Sequence, residues 1–346
     1  MNTVNAGANQ IPQIGQDSFE LVHADLNKAA ASATYVHTTF WQDVFTRLFK
    51  NKGAVAGMVL IALIVLFSIL APVFSPYSYK EQNLDNNYLP PKIPVLENIG
   101  IFDGKDADGT DQYAARELDE NVYYFFGTDS FGRDLWTRLW NGTRISLLIA
   151  ILAVAIDLVV GMSYGLISGY FGGKVDFVMQ RIVEVINGIP QLVIITLFAL
   201  ILEPGMVSII LALLISGWIP MSRVCRAQVL KQKEQEYVLA ARTLGVSNLK
   251  IIFKEIVPNV LGQVVIMSMF SIPSAIFTES YLAFIGLGVR APMASLGSLV
   301  STGYKSFLVY PFLVIIPVTV LAVLMVSFNL FADGLRDAFD PTMKEM

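Results

Sequence analysis

Six apolar stretches, each near the length at which a helix crosses a bilayer, constrain this chain more than anything else in it. A hydrocarbon core about 30 Å thick needs about 20 apolar residues in a helix. Residues 54–75, 145–169 and 260–286 meet that length, and 309–331 does too. Residues 175–202 are weaker, because they carry Glu184 and Asn187; residues 205–222 are short and hold Trp218 and Pro220. Only Glu203 and Pro204 separate these last two, which predicts a tight helical hairpin. Composition agrees: 54% of residues are hydrophobic and 15% charged, where a soluble domain carries about a quarter. So few charges cannot cover a water-soluble surface of this size. The predicted fold class is an all-α polytopic membrane protein with six transmembrane helices.

Basic residues near helix ends set orientation. Arg47, Lys50 and Lys52 precede the first span and put the N-terminus in the cytoplasm. With six spans the chain then alternates. Segment 76–143 falls outside, with twelve Asp/Glu against six Lys/Arg, and segment 223–257 inside, with seven Lys/Arg against three Asp/Glu. The predicted layout is a cytoplasmic N-terminal segment 1–46, a first transmembrane helix 47–75 and an extracytoplasmic segment 76–143. A membrane core 144–333 follows, carrying the inner loop 223–257, and then a cytoplasmic tail 334–346. Phe40, Trp41, Val44, Phe45 and Phe49 repeat at helical spacing, which predicts a helix on the membrane surface. Residues 1–40 have no basic start and no apolar core, so the first span is expected to act as an uncleaved anchor.

Several classes of chemistry are excluded. Net charge is −4, with no broad basic field for nucleic acid. Cys225 is the single cysteine, and His23 and His37 are the only histidines, both in the polar N-terminal segment. The chain has no Gly-x-x-x-x-Gly-Lys-Ser/Thr loop to cradle a phosphate, so it is not an ATPase.

The inner loop is long for a helix connection, which usually takes about 2–8 residues. It reads as two short helices. The first runs from Glu236 to Leu244, and Gly245 suits the left-handed position that closes it. Ser247 is placed to cap the second, in which Leu249, Ile252, Phe253 and Ile256 fall on one face and Lys250 and Lys254 on another. Small residues at Ala240, Ala241 and Gly245 let another surface approach. A structured, amphipathic inner loop asks for a partner.

Glu236, Ala240, Ala241, Gly245, Ile256 and Pro258 resemble the EAA loop of bacterial ATP-binding-cassette importer permeases. Three further stretches narrow the resemblance to C-type permeases of peptide importers. One is Phe126-Gly127-Thr128-Asp129 with Phe131-Gly132-Arg133-Asp134 and Gly142-Thr143-Arg144. The others are Glu279-Ser280-Tyr281-Leu282 with Gly286-Leu287-Gly288, and Asp333-Gly334-Leu335-Arg336-Asp337 with Asp340-Pro341. Leu296 departs from the pattern, standing where the family usually carries Trp.

The resemblance implies an importer half of the type I kind, in the bacterial inner membrane, moving oligopeptides by alternating access. Dipeptide or nickel-chelate cargo is the alternative. It implies that Glu236, Ala240, Ala241, Arg242, Gly245, Ile256 and Pro258 couple the chain to two cytoplasmic ATP-binding subunits. No cofactor belongs to the chain itself; ATP and Mg would bind the partners. A second, homologous permease would complete a heterodimer, and an extracytoplasmic peptide-binding protein would deliver cargo. Asp157, Glu184 and Glu279 are acids within or near spans, where such groups face a cavity or a partner. With Asn187, Ser271 and Ser274 they are the candidate lining of the pathway. The alternative for each acid is pairing to a neighbouring helix, the favoured reading for Glu279. An ion-driven secondary transporter would need coupling sites at broken helices and an internal repeat. A membrane enzyme would need clustered His, Cys or acids. The sequence displays neither set of features.

Overall fold

The computed structural model describes residues 40–106 and 108–339. His23, His37, most of segment 1–46 and the Asp340-Pro341 pair lie outside the described residues. The chain divides into two units, residues 1–43 and 44–346, and of the first only residues 40–43 are described.

Helix α1, Phe40–Lys50, is amphipathic. Its Val44 and Leu48 are buried with Ala54, Leu335 and Ala338, while Phe45 and Phe49 stand exposed. Asn51 then caps α2, Lys52–Phe74, by accepting the Ala54 N–H at 3.2 Å. This helix lies along the last helix so closely that a Cβ on Gly57 would stand 2.5 Å from the Ser327 carbonyl oxygen. Pro72 interrupts α2 near its end. It has no N–H to give the carbonyl of Ser68; Arg144 supplies a donor to Ser68 O and a second to the neighbouring Ile69 O.

The outer segment is built from turns and short 3₁₀ pieces, with no regular strand among its described residues. The Phe126–Asp134 motif folds it onto the next helix. Asp129 accepts the backbone N–H groups of Phe131 and Arg133 at 2.8 and 3.1 Å and pairs with the Arg133 and Arg138 guanidinium groups at 2.7 and 3.4 Å. Gly127 and Gly132 have φ of +78° and +67°, and a Cβ on Gly132 would lie 1.7 Å from Asn83 O. Only glycine fits there.

Helix α3, Leu135–Ile156, starts well before the expected Ile145, because Asp134 caps it through the Thr137 N–H at 2.9 Å. Trp136 and Trp140 lie in its first turns and pack edge to face at 5.7 Å. A π-helical turn, Asp157–Met162, joins it to α4, Ser163–Phe171. The third span is not straight. Helices α5, Gly173–Asn187, and α6, Gln191–Leu202, meet at 69°, since the residue before Pro190 is pushed out of helical geometry. Helix α7, Met206–Ser216, turns back on α6 as the expected hairpin, closed by the Ser208 hydroxyl donating to Glu203 O at 2.6 Å.

Past Gly217 and Trp218 the fourth span continues as α8, Ile219–Gln232. Gly161, Gly165 and Gly169 form one row of the α3–α4 rod that receives α8; a Cβ on Gly165 would stand 2.5 Å from Ser222 O. Cys225 is buried there. Helix α9, Glu236–Thr243, and the one-turn α10, Asn248–Ile251, make the inner loop. A second π-helical turn, Ile252–Ile256, runs straight into α11, Val257–Phe284. Helices α12, Leu296–Tyr304, and α13, Phe312–Phe339, complete the bundle. Its core joins Leu139, Ile149, Ile195, Ile209, Ile276 and Leu324. Among the described residues, five helices or helix pairs are each long and apolar enough to cross a membrane, and the bent α5–α6 pair passes as a sixth.

Candidate coupling loop and translocation cleft

The inner loop has an anchored side and an open side. Val238 of α9 is fully buried in one cluster with Ile251, Ile252 and Ile256, against Leu166 and Tyr170 of α4. The Arg242 guanidinium lies 5.0 Å over the Tyr170 ring, and the Tyr170 hydroxyl donates to Asn248 Oδ1 at 2.9 Å. Cation–π stacking and a hydrogen bond thus hold the turn to the membrane bundle. On the open side Glu236, Ala240 and Gly245 are exposed, as is Pro258 in the first turn of α11. Leu244, Leu249 and Phe253 are 82%, 67% and 65% exposed. Adjacent exposed apolar side chains of this size mark a contact surface.

Three expectations for the loop change. The second helix is not separate from the fifth span but its lower end, because the π-helical turn carries the hydrogen-bonded chain through Ile256. The Ser247 hydroxyl makes no capping bond. The buried face is Ile251, Ile252 and Ile256, so Leu249 and Phe253 point away from it. Ile256 supports the loop from within, and Ala241 is half-buried beside it. Gly245 has φ +75° and open space where a Cβ would stand, so its backbone conformation, rather than local crowding, asks for glycine.

A cleft of about 440 Å³ opens where four helices lose regularity. The π-helical turn of α3 contributes Asp157, the α5–α6 break contributes Asn187 and Pro190, the α7–α8 break contributes Gly217 and Pro220, and α11 contributes Ser271 and Ser274 on either side of Pro273. Irregular backbone at membrane depth survives only when buried in protein or lining a wet cavity. The structure therefore brings together four of the six candidate pathway residues. Gln191, Ser216 and Thr278 join them; they are small or uncharged and gave no signal in sequence beyond lying on spans.

The other two candidates lie elsewhere. Glu184 is exposed on α5 and pairs with Arg181 one turn back. Glu279 is fully buried, with its Oε2 accepting the Ser146 hydroxyl at 3.1 Å. Ser146 Oγ in turn accepts the Leu296 N–H at 3.2 Å, tying α3, α11 and α12 together. Leu296 is itself buried at the start of α12, behind a capping box of Ser295 and Ser298.

Comparisons with known proteins agree over nearly the whole length. Residues 161–345 match the family described as the binding-protein-dependent transport system inner membrane component. Residues 39–91 match the N-terminal TM domain of oligopeptide transport permease C. The dipeptide transport system permease protein DppC of Lactococcus lactis subsp. cremoris (strain MG1363) is 45% identical, over 89% of this chain and 92% of its own. The oligopeptide transport system permease protein OppC of Bacillus subtilis (strain 168) is 39% identical, over 89% and 91%, and that of Escherichia coli (strain K12) 38% identical, over 88% and 91%. Among solved structures, the inward-facing MetNI methionine ABC transporter gives a TM-score of 0.48 at 18% identity, covering 59% of this chain and 97% of that one. With its membrane-spanning helices and a family match over more than half its length, the chain belongs to the inner membrane components of binding-protein-dependent transport systems, as the permease subunit of an ABC transporter.

Proposed function

We propose that this chain is one of two non-identical membrane halves of an ATP-driven peptide importer, working by alternating access. Two ATP-binding subunits seat on the open side of the inner loop and hold the ATP and Mg. A peptide-binding protein delivers cargo to the outer segment 76–143, and cargo crosses by the cleft at Asp157, Asn187, Ser271 and Ser274. Both termini and loop 223–257 face the cytoplasm, in keeping with the basic excess of that loop. Oligopeptide cargo fits the relatives named for oligopeptide transport; those named for dipeptide transport make short peptides the nearest alternative.

One observation carries the coupling assignment. The loop is folded and anchored from behind, yet it holds Glu236, Ala240, Leu244, Leu249 and Phe253 out to solvent. A solvated connection has no reason to keep Leu and Phe exposed on a rigid support. Glu236 is placed to pair with a basic group, and the small Ala240 lets a surface approach.

The test is co-purification of ATPase subunits with the Glu236→Ala, Gly245→Gln double variant, scored beside peptide uptake. A side chain at the left-handed Gly245 costs about 1–2 kcal/mol, so the turn is expected to open while the spans still insert. Loss of ATPase and of uptake from a chain that still inserts is the expected result. Retention of both places the ATPase contact elsewhere.

A further inference from the structure

The cleft contains a single ionisable side chain, and it is an acid. Its lining offers hydroxyls from Ser216, Ser271, Ser274 and Thr278 and amides from Asn187 and Gln191, but no Lys, Arg or His. Asp157 is buried in the wall and faces Ser271, and no cation pairs with it among the described residues. Elsewhere Asp129 is matched by Arg133 and Arg138 and Asp176 by Arg226, whereas Asp134 and Glu279 are buried with hydrogen bonds alone and lie outside the lining of this cleft. Of these buried acids without a cation beside them, Asp157 is the one that lines this cleft.

Its backbone setting is also unusual. It begins a π-helical turn, a widening of the helix that is rare and concentrates at functional sites. A carboxylate only accepts hydrogen bonds, whereas an ammonium only donates, three at a time. The neighbouring hydroxyl and amide oxygens provide the further acceptors that an ammonium needs. An anionic group in the same place finds no cation and meets a like charge.

Resting on the pathway reading above, we propose that Asp157 is the contact for cationic groups of the cargo, so that this cleft passes peptides in order of their net positive charge. The preference belongs to the permease and adds to whatever the binding protein selects.

The test is ATP-dependent uptake of Ala-Lys-Ala, Ala-Gln-Ala and Ala-Glu-Ala by the complete transporter in proteoliposomes, for wild type, Asp157→Asn and Asp157→Glu. Each peptide is compared with itself across variants, so the binding protein's own preference cancels. Asp157→Asn is expected to slow the Lys peptide about tenfold, the Gln peptide less, and the Glu peptide not at all or in the opposite direction. Asp157→Glu is expected to restore the order. Equal slowing of all three peptides, or no change in any, overturns the inference and leaves the importer reading standing. If wild type takes up none of the three with ATP, the importer reading fails and the inference falls with it.

Discussion

Asp129 and Asp134 stand five positions apart in one motif and do different things. Asp129 is ion-paired twice and organises a turn. Asp134 caps α3, and its burial pushes its carboxyl up from 3.8 to about 6, against the hydrogen bonds from Thr137 that hold it down. The folded state therefore favours the protonated form. Its contribution is fully present below about pH 3.8 and is lost as pH rises through about 6, by at most about 3 kcal/mol. Asn is an equally good cap. The Asp134→Asn variant should keep the helix and flatten the fall in thermal midpoint between pH 4 and 7; parallel profiles for variant and wild type would count against the assignment. Residues like these were legible in sequence as a motif but not as a mechanism. Gly127 and Gly132 could be named, yet the carbonyls of Leu89 and Asn83 that exclude any side chain come from more than thirty residues away.

At the scale of helices, hydropathy located every span, because an apolar run of the right length has few other fates. It misplaced their ends. The first turns of α3 and the lower end of the fifth span are polar or aromatic and fall outside an apolar window, although the helix runs through them. Neither π-helical turn has a signal in the local sequence, and the Asp157 turn is what opens the cleft wall. The glycine row at 161, 165 and 169 could have been read as a close-packing seam, but the partner helix could not. Pro72 and Arg144 show helices correcting one another. A carbonyl left unpaired in a buried place costs about 1–3 kcal/mol, so Arg144→Gln should lower stability by about that amount. Pro72→Ala restores the helix's own donor, and in that background the same substitution should cost clearly less. A double-mutant cycle with no coupling would show that Arg144 acts otherwise.

For the molecule as a whole, two devices add to the apolar packing that binds the bent α5–α6 pair to the rest. One is the α6–α7 hairpin. The other is the Arg226–Asp176 pair, a two-pronged contact at 2.6 Å per prong between α8 and α5, with the Ser168 hydroxyl and Gln180 beside it. A half-buried bidentate pair is worth more than an exposed one. Asp176→Arg should lower the thermal midpoint by several degrees, and adding Arg226→Asp should recover most of it. Failure of the swap to recover stability would mean that the surrounding hydroxyl and amide, rather than the charges, hold the contact. The hairpin was legible in sequence from the two-residue connection Glu203-Pro204, but the ion pair was not, because Asp176 and Arg226 lie fifty positions apart with nothing local to join them.

From Asn248 through the π-helical turn to Phe284 the helical chain is unbroken, and Pro273 divides it beside Ser271 and Ser274. The lower arm is about 38 Å long at 1.5 Å per residue. A swing of about 10° about Pro273 thus carries Leu249 and its neighbours sideways by about 6 Å. Under the coupling and pathway roles proposed above, the arm is a lever with its handle at the ATPase contact and its fulcrum at the cleft. The least displacement then falls on the cleft wall and the greatest on the loop, so a large stroke at one end becomes a small, forceful adjustment at the other.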